Sequence, residues 1–240
     1  MAGSLLAKPY QTADEWRTLV EQFSPEAIAH KLLLAHVPYV FREEPLKFAL
    51  FRKTIADAFK IEPSSVFIVG SAMAGRSLKG NAIKKEYSTD SDIDTLIISE
   101  HLFTSYVMKS LSWVKEITMP DFAGKPPKSP TIASENSKYI GWLAAHAYKG
   151  IWRPDSLPTD AEARVEFFEK FADVSLKTLG LQLSDDTVAK VNGRIARLFD
   201  DAVTDLAQSI SRLRKEFRGE KVDPAPEPND AEEISDTKSA

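Results

Sequence analysis

The 240-residue chain contains no cysteine. That absence excludes disulfides, thiolate metal sites and Cys nucleophiles together, and it fits a reducing cytosol. Histidine is scarce: His30, His36, His101 and His146 show no i,i+4 ligand spacing, so none is assigned to a metal. No apolar run approaches the roughly 18 residues of a membrane span. The longest greasy patch, Leu32 to Phe41, is interrupted by His36 and Pro38. The N-terminus has neither a basic region nor a long apolar stretch, so no signal peptide is expected and the expected location is cytoplasmic, with no membrane partner. There is no G-x-S-x-G elbow to support a serine hydrolase, and no internal repeat.

A strong excess of one charge is also missing. Lys and Arg number 31 against 35 Asp and Glu, a formal net of −4. Seven acids and two bases fall between Gly219 and the end, a net of −5, which leaves 29 bases and 28 acids in the first 218 residues, a net of +1. The acidity belongs to the tail, so a polyphosphate ligand for the body stays open. At 43% hydrophobic and 28% charged, the whole is ordinary for a globular protein.

What is present divides by period. Thr12-Ala-Asp-Glu15 is a capping box ahead of Trp16, Leu19 and Val20. Ser24-Pro25-Glu26 is a second helix start, with an N-cap serine, proline at the first helical position and an acid in the first turn. Glu44-Pro45 opens a third helix, with Phe48, Phe51, Ile55 and Phe59 on one stripe. The period then changes. Val66 to Val69 and Ile93 to Ile98 are short continuous apolar runs, read as buried strands. A helix is expected from Ser99-Glu100 through Leu111, a third strand over Trp113 to Met119, and a loop over Pro120 to Pro130. Helices follow over 136–149 and from Thr159 or Asp160 to about Leu179, joined by a rigid connector at Trp152 to Pro158. A long helix is expected from the cap at Ser184 to Phe217, its stripe (Val191, Ile195, Leu198, Ala202, Leu206, Ile210) serving as core or as a seam for a second copy or a partner protein over 186–217. From Gly219 the prolines and acids predict a disordered tail.

The chemistry concentrates between residues 66 and 99. A strand ends in Gly70-Ser71, a turn whose backbone can approach a phosphate closely. Asp92 and Asp94 then flank Ile93 where the second strand begins. Alternate residues of a strand share a face, so both carboxylates point one way while Ile93 enters the core. Two adjacent carboxylates repel, and a hard divalent cation such as Mg²⁺, held by one or two carboxylates plus substrate phosphates, relieves that.

This pattern of apolar strand, Gly70-Ser71, then Asp92-x-Asp94 opening a second apolar strand resembles the DNA polymerase β-like nucleotidyltransferase superfamily over roughly residues 62 to 119. The resemblance implies an α+β fold: a small mixed β-sheet core at 62–133, an N-terminal helical segment at 1–61, a C-terminal helical region at 134–218 and an acidic tail at 219–240. It also implies a metal-dependent transfer of a nucleotidyl group from an NTP to a hydroxyl acceptor, with pyrophosphate leaving and Mg²⁺ or Mn²⁺ as cofactor. Asp92 and Asp94 would hold the metal and act in catalysis. Gly70, Ser71, Arg76 and Ser91 would bind the nucleotide. Small bacterial members of the superfamily act in phage defence or in toxin–antitoxin pairs, a role the residues themselves do not select.

Two departures stand out. Residues 72–91 are longer than the compact motif, and Lys79, Lys84 and Lys85 there either touch phosphates or line a solvated loop. The third carboxylate, expected on a later strand, is either Glu116 or Asp121. If neither serves, the chain is a nucleotide-binding or interaction module of weak activity on the same fold. A rival reading takes Gly70 to Ser77 as a P-loop, but Arg76 stands where that motif needs lysine, and the acids open the next strand rather than ending it. Arg153 either faces a nucleotide or sits on the surface beside a packed tryptophan. Arg212, Arg214, Lys215 and Arg218 close the last helix, where bases favour the C-terminal turn.

Overall fold

The computed structural model describes residues 2–35, 37–88, 91–118, 136–179 and 190–222. The fold is α+β, with helices packed on both faces of a four-stranded mixed sheet. The N-terminal helices start where their caps dictate. After α1 (Ala2–Ala7), α2 (Ala13–Gln22) opens on a reciprocal Thr12–Glu15 capping box. α3 (Pro25–Leu34) follows the Ser24 hydroxyl, which accepts from the Ala27 amide. α4 (Pro45–Phe59) begins at its proline and buries Phe51, Ile55 and Phe59.

β1 (Val66–Val69) runs into the short helix α5 (Gly70–Ala74), and β2 (Ile93–Ile98) returns antiparallel to β1. α6 spans Glu100–Thr118, α7 Ser137–Tyr148, and β3 is the pair Ile151–Trp152. α8 (Glu162–Leu179), β4 (Val191–Ala196) and α9 (Phe199–Phe217) complete the described chain. The strand order is β1-β2-β4-β3, with β4 parallel to β2 and antiparallel to β3.

The sheet separates two cores. Val66, Ile68, Ile93, Ile97, Val191 and Ile195 face α4, α6 and α8, where Phe59, Tyr106, Phe167 and Phe171 pack with Trp152. Val69, Leu96 and Ala196 face α3 and α9 on the other side.

Three expectations are corrected. Residues 113–118 of the expected third strand are helical. Residues through Thr118 continue α6, because Tyr106, Ser110 and Ile117 extend one helical stripe into the core. Within the described part of the long helix expected from Ser184, Val191–Ala196 is a strand and Phe199–Phe217 is a shorter helix. Its stripe (Ala202, Leu206, Ile210, Leu213) is buried against the sheet and α3, so it is core and not an external seam. The Pro120–Pro130 loop, Asp121, the Ser184 cap and the tail from 223 lie outside the described residues. The sheet draws β1 and β2 from one side of residue 133 and β3 and β4 from the other, so the core expected at 62–133 does not close on itself. No helix among the described residues is long and apolar enough to cross a membrane.

Candidate functional site

The two halves of the motif meet in space. In the β1–β2 register Val69 lies opposite Asp94, so Gly70 follows directly beside the Asp94 side chain. Gly70 has φ of 64°, in the left-handed region that favours glycine, and a Cβ built on it would sit 2.8 Å from Asp94 Oδ2. Any larger residue would push the turn away from the carboxylate. Pairing of the strands and the missing side chain together bring the Gly70–Ser71 turn against the acid pair.

Ile93 is buried in the α6/α8 core, so Asp92 and Asp94 project to the α3/α9 face. Asp92 stands at the solvent-facing rim and Asp94 lies deeper. Burial pushes the Asp94 carboxyl above the usual carboxylate range. Arg194 opposes that rise, the Asp92 charge adds to it, and Arg153 and Lys79 oppose it again. Partial burial also raises Asp92, against Lys190 and a hydrogen bond from Asn192. The pair thus sets one buried carboxyl beside one at the solvent rim in the field of several cations, suited to a divalent cation carrying phosphates.

Comparison of the chain with protein-family models, curated proteins and solved structures found no match. The site therefore has to be read from its own geometry.

β4 supplies groups that sequence reasoning missed. Asn192 is in register with Asp94, and its Nδ2 donates to Asp92 Oδ2 at 3.2 Å. Arg194, two residues on and on the same face, pairs with Asp205 of α9 at 3.0 Å. The only warning in the sequence was Gly193, a poor residue for a helix interior. Loop residues brace the other side. Tyr87 Oη donates to the Ser91 carbonyl at 3.5 Å, and the Ser91 hydroxyl accepts from the Ser88 amide at 3.3 Å. Tyr87 and Ser91 also line a cavity of about 450 Å³ with Tyr39, Arg42, Ile93 and Lys190, next to Asp92 in the chain.

Two expected site residues are placed elsewhere. Arg76 is buried, and its guanidinium donates to the carbonyls of Gln11 and Ile83, both at 3.0 Å, and to Glu86 at 3.5 Å. It is a strut between α1–α2 and the 72–91 segment, with three of its five N–H donors on protein acceptors. Glu116 lies on α6, across the sheet from the acid pair, where it lines a separate cavity with Lys109, Trp113 and Asp160. It does not complete the site. Of the three lysines in the 72–91 segment, Lys79 acts on Asp94, while Lys84 and Lys85 are exposed. Arg153, half-exposed and bonded to Asp155, also acts on Asp94.

Proposed function

We propose that this face binds a nucleoside triphosphate with a divalent cation and transfers its nucleotidyl group to a hydroxyl acceptor, pyrophosphate leaving. The observation that carries the reading is the approach of Gly70 to Asp94. Two motif pieces separated by twenty residues converge on one another, and the convergence depends on glycine at that point. The resemblance to the DNA polymerase β-like superfamily supports the same reading, and a role in phage defence or a toxin–antitoxin pair belongs to that resemblance.

Asp92 and Asp94 would hold Mg²⁺ or Mn²⁺, and the ion would neutralise charge on the α-phosphate and on the departing pyrophosphate. The Gly70–Ser71 turn accepts the phosphate chain at close range. Lys79 and Arg153, both acting on Asp94, place positive charge where the phosphates would lie. The acceptor hydroxyl must be held in line with the breaking Pα–O bond and lose its proton as the bond to phosphorus forms.

The test pairs binding with turnover. Calorimetry with each NTP and Mg²⁺ should show cation-dependent binding that Asp94→Ala reduces by at least about tenfold. Labelled NTP with Mg²⁺ or Mn²⁺ should give transfer product above that of Asp92→Ala/Asp94→Ala. Equal binding by wild type and by the folded double variant would refute the site.

A further inference from the structure

A nucleoside triphosphate held by its phosphates at the acid pair still has a base to seat. The cavity of about 450 Å³ beside Asp92 is of a size to take a nucleoside. Ser91 and Ile93, the chain neighbours of Asp92, both line it, and so does Tyr87. Burial, then the charges of Asp92 and of Asp94, push the Tyr87 phenol above its usual value, so this wall lies within the field of both carboxylates. Another wall comes from the 3₁₀ turn Tyr39–Phe41, between α3 and α4. Tyr39 packs against Gly75, where φ is 79° and an added Cβ would lie 2.6 Å from Cδ2 of the ring. Gly75 directly follows α5, and α5 begins with Gly70 and Ser71. At 1.5 Å per residue, that short helix sets the phosphate turn and the seat of Tyr39 roughly 7 Å apart, within the reach of one nucleotide.

Arg42 turns this wall into a platform. Its guanidinium carbon lies 3.9 Å from the centroid of the Tyr39 ring. Nη1 donates to the Tyr39 carbonyl at 2.9 Å, and Nε lies 3.3 Å from a Glu43 carboxylate oxygen. These contacts hold a planar cation over an aromatic ring, and 38% of the Arg42 side chain stays exposed, which leaves surface for a ligand. A guanidinium held in this way stacks on heteroaromatic rings, whereas an ammonium is a point charge with no plane to offer.

We infer that this cavity seats the nucleobase of the bound NTP, stacked on the Arg42 guanidinium, with Tyr39 backing the platform. This rests on the nucleotide reading above and extends it from the phosphates to the base. The base contributes through its π face, so what Arg42 adds to binding is absent for a ligand that carries the phosphates without a base.

The experiment is calorimetry of the full chain in Mg²⁺, comparing inorganic tripolyphosphate with each of the four NTPs. Wild type should bind the tightest NTP at least about fivefold more strongly than tripolyphosphate. Arg42→Lys, which keeps the charge and loses the plane, should lose that preference and bind tripolyphosphate as wild type does. Arg42→Ala should lose the preference too. A wild type that binds the NTPs no better than tripolyphosphate would overturn the inference while leaving the phosphate site in place, and that comparison does not depend on any variant folding. A folded Arg42→Lys that keeps the full preference would overturn it as well. So would an equal loss of both ligands, which would assign Arg42 to the phosphates. Absence of Mg²⁺-dependent binding of both NTP and tripolyphosphate by wild type would remove the parent reading, and this inference with it.

Discussion

A guanidinium taken into the interior has to be met by acceptors on each side that water has left. Arg76 finds two carbonyls and a carboxylate, which ties the segment after Gly75 to the N-terminal helices. A point charge on a flexible stem could not reach the same fork, which explains arginine at a position where the P-loop pattern asks for lysine. Sequence spacing identified a cation near the glycines but carried no information about burial, and burial decides whether its donors face a ligand or the protein. His146 shows the same logic in a titrating group. It is buried on α7 and shares a 2.7 Å hydrogen bond with Ser156. Burial, followed by the Arg153 charge, holds its pKa below the usual value, against Asp155; Lys149 lowers it further and Asp205 raises it. The folded chain thus refuses a proton that the unfolded chain takes up at about pH 6.5. Stability is complete above that pH and declines as pH falls below it. Urea unfolding at pH 7.5 and at pH 5.5 should show wild type losing stability on acidification, and His146→Gln, which keeps a partner for Ser156 but does not titrate, should lose measurably less. Equal losses would assign the acid sensitivity to other groups.

Elements with a cap or a single period were legible, and those with two compatible periods were not. Thr12, Ser24 and Pro45 fixed three helix starts through local hydrogen bonding and φ alone. β1 was legible because a continuous apolar run of four residues suits a strand buried on both faces, and β2 because Ile93 and Leu96 to Ile98 keep that apolar character on either side of Asp94 and Thr95. β4 was hidden because Val191 and Ile195, four apart, share a face in a strand as well as in a helix, and the periodic stripe of α9 continued the pattern. The consequence fell on the candidate site, since β4 carries Asn192 and Arg194. The Gly70 and Asp92-x-Asp94 half was readable from local order, and the β4 half needed tertiary pairing across 97 positions, as in the Thr95 hydroxyl donating to the Asn192 carbonyl. Gly193 records why this strand is a strand. A Cβ there would lie 2.3 Å from Thr95 Oγ1 and 2.7 Å from Phe171 Cζ, so α8 can close on the sheet only over glycine. Gly193→Ala should cost about 2 kcal/mol in denaturant unfolding, in the range of an overpacked core. By displacing β4 it should also weaken cation-dependent NTP binding. An alanine variant as stable as wild type would mean that α8 yields at no cost.

Across the whole molecule, the two chain halves are interleaved. β3 and β4 close the sheet begun by β1 and β2, and α9 lies along α3 beneath it. Arg214 of α9 donates to the carbonyls of Val20 and Phe23 at the end of α2, and Arg218 pairs with Glu21. Two of the four bases at the end of α9 are thus engaged in joining the first helices to the last, which leaves less of that cluster for an outside polyanion. The aromatic centre is equally shared: Phe59 comes from α4, Tyr106 from α6, Trp152 from β3, and Phe167 and Phe171 from α8. Trp152 also donates to Ser110 at 2.9 Å, fixing β3 to α6. Without the C-terminal half, β2 would expose its long edge and Ile93 and Ile97 would lose the facing Val191 and Ile195. A chain ending at residue 133 should therefore lack cooperative thermal unfolding and a native near-ultraviolet dichroism spectrum, whereas residues 1–222 should unfold in one transition that is the same by both probes. A folded 1–133 fragment would show that the first half carries its own core, and the acid pair could then be assembled without Asn192 beside it.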